Sequence, residues 1–214
     1  MAVSAGPENL ESASIRDAKV RARAHAHGAR AKAFVATPDA ARRIRDRFLA
    51  ELLPGLAVRQ GATVSGYIPI NDELDPRPLL SALMERGHPL AAPCVVAKGQ
   101  PLIFRMWDIH AGLAPGPFGV SEPPPDAPVL EPELLLVPML AFDRRGHRLG
   151  YGRGYYDRTL AALRARRSIA AIGLAFAGQE VLSLPISDGD QRLDWIVTET
   201  ALIHPLPQPT QAKG

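Results

Sequence analysis

The run Leu134-Leu-Leu-Val137 contains no polar position. A strand of that kind has no face to turn toward water, so it belongs inside a sheet covered on both sides. Covering both faces takes helices, which is the layering of α/β proteins with a parallel sheet. The rest of the chain must therefore provide helices alternating with strands.

It does so in order. Ser14 followed by Asp17 reads as a capping box, and the Ala- and Arg-rich stretch behind it predicts a helix from about Ile15 to Ala33. Thr37-Pro38-Asp39 reads as a second helix start, with the hydroxyl at the N-cap. Ile44, Phe48 and Leu52 recur every four residues until Pro54-Gly55 stops the pattern. Ala62 to Ile68 reads as a buried strand, and Pro76 to Arg86 as a helix that turns Leu79, Leu80 and Leu83 inward and ends at Gly87. Leu90–Val96 and Leu102–Trp107 are strand-like, and the proline- and glycine-rich segment Gly112–Pro128 predicts a long ordered surface loop. After Leu134–Val137 come a glycine-rich turn, a helix over about Tyr155–Arg166, and strands at Ile169–Phe176 and Trp195–Thr198. The expected fold is a single Rossmann-like, three-layer α/β/α domain with a mostly parallel sheet. It would occupy residues 13–203, between a disordered leader (1–12) and a disordered tail (204–214).

Composition excludes several classes. The 214 residues are 46% hydrophobic and 22% charged, as in soluble globular proteins. No apolar run approaches the roughly 20 residues that cross a bilayer, so no membrane partner is expected. Met1–Leu10 has no secretory pattern, and the single cysteine, Cys94, rules out an internal disulfide. Both point to a reducing cytoplasm. The net charge of +3 favours a polyanionic small molecule without indicating nucleic acid. The cations do crowd the start of the chain, at Arg16, Lys19, Arg21, Arg23, Arg30 and Lys32. A nucleic-acid-binding helix is the rival that this crowding suggests, and it predicts salt-sensitive binding. It would leave the glycine turn without a purpose.

That turn carries the chemistry. Between the apolar strand and the next helix stand Gly150, Gly152 and Gly154 at alternate positions, bracketed by Arg148, Arg153 and Arg158. Glycines let backbone amides approach a ligand, and amides at a helix start cradle phosphate. Asp157 can hold a magnesium ion that bridges phosphates. The plain alternative is a glycine-rich strand-to-helix turn with arginines in solvent. The segment is neither a Gly-Lys-Ser/Thr phosphate loop nor a dinucleotide fingerprint.

The longer string is more specific. Val137-Pro-Met-Leu-Ala-Phe-Asp143 followed by Arg148-Leu-Gly-Tyr-Gly-Arg-Gly-Tyr-Tyr-Asp-Arg158 resembles the hallmark of the 5-formyltetrahydrofolate cyclo-ligase family. Tyr67-Ile-Pro-Ile-Asn-Asp-Glu73, Leu102–Trp107, Gly116–Pro123, Ile172–Phe176 and Asp190–Glu199 are similar to further blocks of that family, in order, over most of residues 60–199.

The resemblance implies ATP- and Mg2+-dependent ring closure of 5-formyltetrahydrofolate, with or without a polyglutamate tail, through a phosphorylated formyl intermediate. Arg148 and Tyr155 would be the catalytic pair. Lys19, Arg23, Arg148, Gly150, Tyr151, Gly152, Arg153, Gly154, Tyr155 and Tyr156 would meet ATP. Glu73 and Tyr155 would meet the folate, and Asp157 and Asp190 the metal. Lys19 and Arg23 match the family's lysine and arginine one turn apart, although Arg16 also fits the register and the family's Lys-x-x-Leu-Arg string is not kept. A monomer acting without protein or nucleic-acid partners is expected.

Other chemistry-bearing residues read as structural. Asp108 with His110, and His25 with His27, lack a third metal ligand at useful spacing. Cys94 and Trp107 read as core, and His147 as solvent-exposed.

Overall fold

The computed structural model describes residues 7–205 of the chain. Helix α1 runs Pro7–Ala36, beyond both ends of the predicted stretch. Ser14 thus lies within the helix rather than at its start. The expected leader is helical from Pro7 onward, and residues 1–6 and 206–214 lie outside the described residues. The Thr37 hydroxyl donates to the Ala33 carbonyl at 2.6 Å, so it closes the end of α1 instead of capping the next helix. That helix, α2 (Ala40–Arg47), starts at Asp39 without a side-chain cap and continues as a π turn over Phe48–Leu52. Its predicted stripe holds, because Ile44, Phe48 and Leu52 are all buried.

Strand β1 is confined to Val64–Ser65, and α3 (Arg77–Glu85) follows. Gly87, at φ 85°, ends α3 with its amide on the Met84 carbonyl, and the His88 amide reaches Leu83. This is the glycine C-cap that the sequence announces. Next come β2 (Leu90–Cys94) and β3 (Ile103–Met106). The proline-rich segment contains a small hairpin, β4 (Ala114–Pro115) with β5 (Ser121–Glu122), followed by β6 (Val129–Leu130). Beyond β7 (Leu134–Val137) lies a second hairpin, β8 (Ala141–Phe142) with β9 (Arg148–Leu149), that periodicity did not reveal. Helix α4 (Tyr155–Arg164), β10 (Ala170–Leu174), β11 (Trp195–Val197) and an unpredicted edge strand, β12 (Leu202–Ile203), complete the chain.

Eight strands form one sheet in the order β12-β11-β10-β7-β1-β2-β3-β6. The five inner strands, β11 to β2, are parallel, and β12, β3 and β6 join antiparallel at the edges. Leu134 and Leu136 enter the core on one face with α2 and α3. Leu135 and Val137 enter the core on the other face with α4. All four are fully buried, which is why the run carries no polar residue. Each such side chain contributes about 1.5–3 kcal/mol of transfer free energy.

The expected tail is ordered at its start. His204 stacks on Trp195 at 4.0 Å between ring centroids, and Pro205 is buried.

Candidate active site

The chain leaves β1 toward β2 on one side and later returns to lay β7 against β1 on the other. Strand order reverses there, and the loops at the carboxyl ends of β1 and β7 diverge to leave a crevice. A cavity of about 470 Å3 opens at that point. Tyr67, Ile68, Ile70 and Glu73 line it from beyond β1, Pro93 and Val95 from the end of β2, and Pro138 from the end of β7. Arg148 and residues 150–157 form a further wall, and Lys19 and Arg23 reach it from α1. A more polar cavity of about 780 Å3 adjoins it and shares Lys19, Arg23, Gly152, Gly154, Asp157 and Asp190. Arg16 lines only this second space.

The glycine loop is shaped by its neighbours. Gly152 (φ 91°) and Gly154 (φ 66°) adopt left-handed conformations that glycine tolerates best, whereas Gly150 does not need one. Arg23 Nε donates to the Gly150 carbonyl at 2.9 Å. A Cβ on Gly152 would stand 2.9 Å from the Arg23 guanidinium carbon, so a side chain there would displace the end of Arg23, and it is the φ that calls for glycine. Gly154 serves as N-cap of α4, and the loop thus delivers the helix start to the cavity. Arg158 turns away from this space. It donates to the Arg153 carbonyl at 2.6 Å and lies 5.4 Å over the Tyr155 ring, so its charge braces the loop.

The Arg148 side chain is buried, donates to Asp157 at 2.6 Å and also reaches the Gln191 carbonyl. Burial lowers the pKa of its guanidinium, while Asp157 acts in the opposite direction. Asp157 Oδ1 also accepts the Gln191 amide at 3.1 Å. Asp190 pairs with Lys19 at 2.5 Å and accepts the Ser187 amide at 2.9 Å. Both carboxylates face the shared space, each with a cation beside it. No cluster of three His, Cys, Asp or Glu side chains occurs among the described residues. Two carboxylates suit magnesium, which takes one or two protein ligands and completes its shell with phosphate oxygens and water. They do not suit a transition metal.

Glu73 stands at the other end of the first cavity. It is buried, and its Oε2 accepts the Ile70 amide at 3.0 Å. Burial raises its pKa, against the opposing effects of that amide and of Arg30. Arg30 donates to Glu73 at 3.5 Å, to Asp72 at 2.7 Å and to the Tyr151 hydroxyl at 2.8 Å. Sequence reading did not single it out as a site residue. An arginine between Ala29 and Ala31 on a basic helix carries no local sign that it is buried.

Tyr156 lines the cavity with its hydroxyl buried and without a hydrogen-bond partner among the described residues. Burial pushes that phenol well above its ordinary pKa. Tyr155 also lines the cavity while packing against the α4-side core. The expected surface loop contributes Pro117, Val120 and Glu122, and the Val95 amide donates to Glu122 at 2.9 Å. All three fall in the Gly116–Pro123 block matched to the family, but none was named as a site residue from sequence.

One expectation is reversed. His147 is buried rather than exposed, because Asp143 sits fully buried in the β8–β9 turn and accepts from His147 Nδ1 at 3.1 Å. Cys94 and Trp107 are buried as expected. Asp108 accepts the His110 and Ala111 amides in a local turn.

Comparison with known proteins points one way. The model of the 5-formyltetrahydrofolate cyclo-ligase family matches residues 15–199. A 5-formyltetrahydrofolate cyclo-ligase of Mycolicibacterium smegmatis is 37% identical over 142 residues, covering 63% of this chain and 73% of that protein. That of Escherichia coli is 28% identical over 168 residues, 76% and 91% of the two chains. A solved 5,10-methenyltetrahydrofolate synthetase from Mycoplasma pneumoniae superposes with a TM-score of 0.64 at 22% identity, covering 85% of this chain and 98% of its own. That from Aquifex aeolicus gives 0.64 at 24%, covering 88% and 99%. At these identities the two structures speak for the fold.

Proposed function

Because the chain belongs to the 5-formyltetrahydrofolate cyclo-ligase family, we propose that it closes 5-formyltetrahydrofolate to 5,10-methenyltetrahydrofolate at the expense of ATP. The formyl oxygen attacks the γ-phosphorus, and the bond to the β-phosphate oxygen breaks to release ADP. The N10 amine then attacks the formyl carbon and loses its proton, and the phosphate departs with the former formyl oxygen. This needs two ligands held in line and charge neutralised on the moving phosphoryl group, with no protein nucleophile.

One observation carries the reading. A glycine loop with left-handed turns, a basic helix face and two aspartates converge on a space that continues into a cavity ending at a buried glutamate. The polar cavity suits the triphosphate. Lys19 and Arg23 supply charge there and the Gly152 and Gly154 backbone supplies close approach, while Gly150, Tyr151 and Arg153 line the adjoining first cavity. Asp157 and Asp190 would hold magnesium, which would supply charge neutralisation for the phosphates. The first cavity suits the folate, because Glu73 can accept from ring N–H donors and Tyr155 and Tyr156 offer apolar faces. Arg148, between the two, faces the position where charge develops. The same reading makes the protein a cytoplasmic monomer, with or without preference for polyglutamylated substrate. Among the described residues, no helix is long and apolar enough to cross a membrane.

The test is spectrophotometric. Purified protein with 5-formyltetrahydrofolate and magnesium-ATP should accumulate the absorbance of the methenyl product, and controls lacking ATP or magnesium should not. ATP binding without product would reject this substrate.

A further inference from the structure

Lys19, Arg23 and Arg30 share one face of α1, four and then seven residues apart. The first two meet the glycine loop and Asp190, whereas Arg30 passes behind the other end of the first cavity, whose wall it does not form. Its side chain is only 1% exposed, and its Nε is buried with no partner among the described residues. The remaining donors reach Asp72, Glu73 and the Tyr151 hydroxyl, which belong to two segments far apart in sequence. The guanidinium also lies 5.5 Å from the Tyr151 ring centroid. The Glu73 segment turns through Asn71 at φ 54° and is closed within itself by the Ile70 and Glu73 amides, and Arg30 adds the contacts that tie this turn to the glycine loop.

Resting on the reading of the first cavity as the folate site, we infer that Arg30 is a positioning residue for the folate end of that site. It clamps the 70–74 turn to the glycine loop, so that Glu73 and Tyr151 present one fixed edge to the substrate. Only a planar fork can hold these three acceptors together. An ammonium keeps the charge but loses the geometry. The proposed nucleotide contacts of α1, Lys19 and Arg23, lie nearer its start, and Arg30 does not line the polar cavity they share.

The test is a kinetic split on the full chain. Arg30→Met should raise the KM for 5-formyltetrahydrofolate by roughly tenfold or more, the loss typical of removing a group that orients a functional side chain. The KM for ATP should stay within about twofold. Arg30→Lys should fall between Arg30→Met and wild type, and circular dichroism would establish that both are folded. If Arg30→Met fails to fold, Arg30→Lys and Asp72→Asn are read by the same split. Wild-type turnover combined with unchanged KM values, or with equal rises in both, would overturn the inference alone. No turnover of 5-formyltetrahydrofolate by wild type would overturn the functional reading and this inference with it.

Discussion

Arg148 and Asp157 meet at 2.6 Å at the junction of the two cavities, so the proposed phosphate cation and metal ligand already form a pair. Either ligand must therefore arrive by sharing that pair. Asp157→Asn keeps the shape and removes the charge. It should lower magnesium-ATP turnover by about a hundredfold, the scale of losing one preorganised electrostatic contact. Asp157→Ala should also destabilise the fold by about 1.5–3 kcal/mol, because it strips a charged hydrogen bond from a buried guanidinium. Urea titration and steady-state kinetics on both variants separate the two effects, and full activity of Asp157→Asn would remove the residue from the metal site.

Gly152→Ala should act through Arg23. The new methyl would need to occupy space now held by the Arg23 guanidinium, at a φ of 91° that alanine resists. The expected result is an ATP KM raised about tenfold, roughly 1.4 kcal/mol, with the folate KM nearly unchanged. Arg23→Met should show the same selectivity. Equal rises in both KM values would mean that the loop as a whole has collapsed.

Glu122 anchors the proline-rich loop to the end of β2 through the Val95 amide at 2.9 Å. Glu122→Ala should free the β4–β5 hairpin, raise the folate KM severalfold, or about 1 kcal/mol, and speed proteolytic nicking within 112–128. Unchanged nicking would show that Glu122 does not hold the loop.

Asp143 gives the fold an acid limit. Burial alone would raise its pKa, but hydrogen bonds from the His147 side chain and backbone and from the Arg145 backbone win, and the carboxyl lies below its ordinary value. A depressed folded pKa means that the stabilisation is present above the unfolded value near 4 and is lost as pH falls through the folded one. Asp143→Asn should cost about 1.5–3 kcal/mol at pH 7, measured by urea titration. The gap from wild type should narrow near pH 3. A constant gap would show that ionisation of Asp143 is not the source.

Local sequence determined whatever depends on neighbours along the chain. The unbroken Leu134–Val137 run required cover on both faces, and it feeds two cores on opposite sides of the sheet. The Ile44–Phe48–Leu52 stripe and the Gly87 stop follow from helix period and backbone sterics, so they could be read without tertiary information. The 148–158 string carried the family and most of the candidate site, because its residues act within one loop. Tertiary structure alone decided what depends on residues distant in sequence. Two-residue strands such as β8, β9 and β12 are too short to show a period, and only their partners define them. Thr37 offered a plausible cap, but the Ala33 carbonyl behind it competed successfully for the hydroxyl. His147 looked exposed until Asp143 buried beside it. In the sequence Arg30 was one more cation in a basic stretch. Its burial against Asp72, Glu73 and Tyr151 exists only because the fold brings those groups to one place, where paired acceptors offset the cost of removing a charge from water.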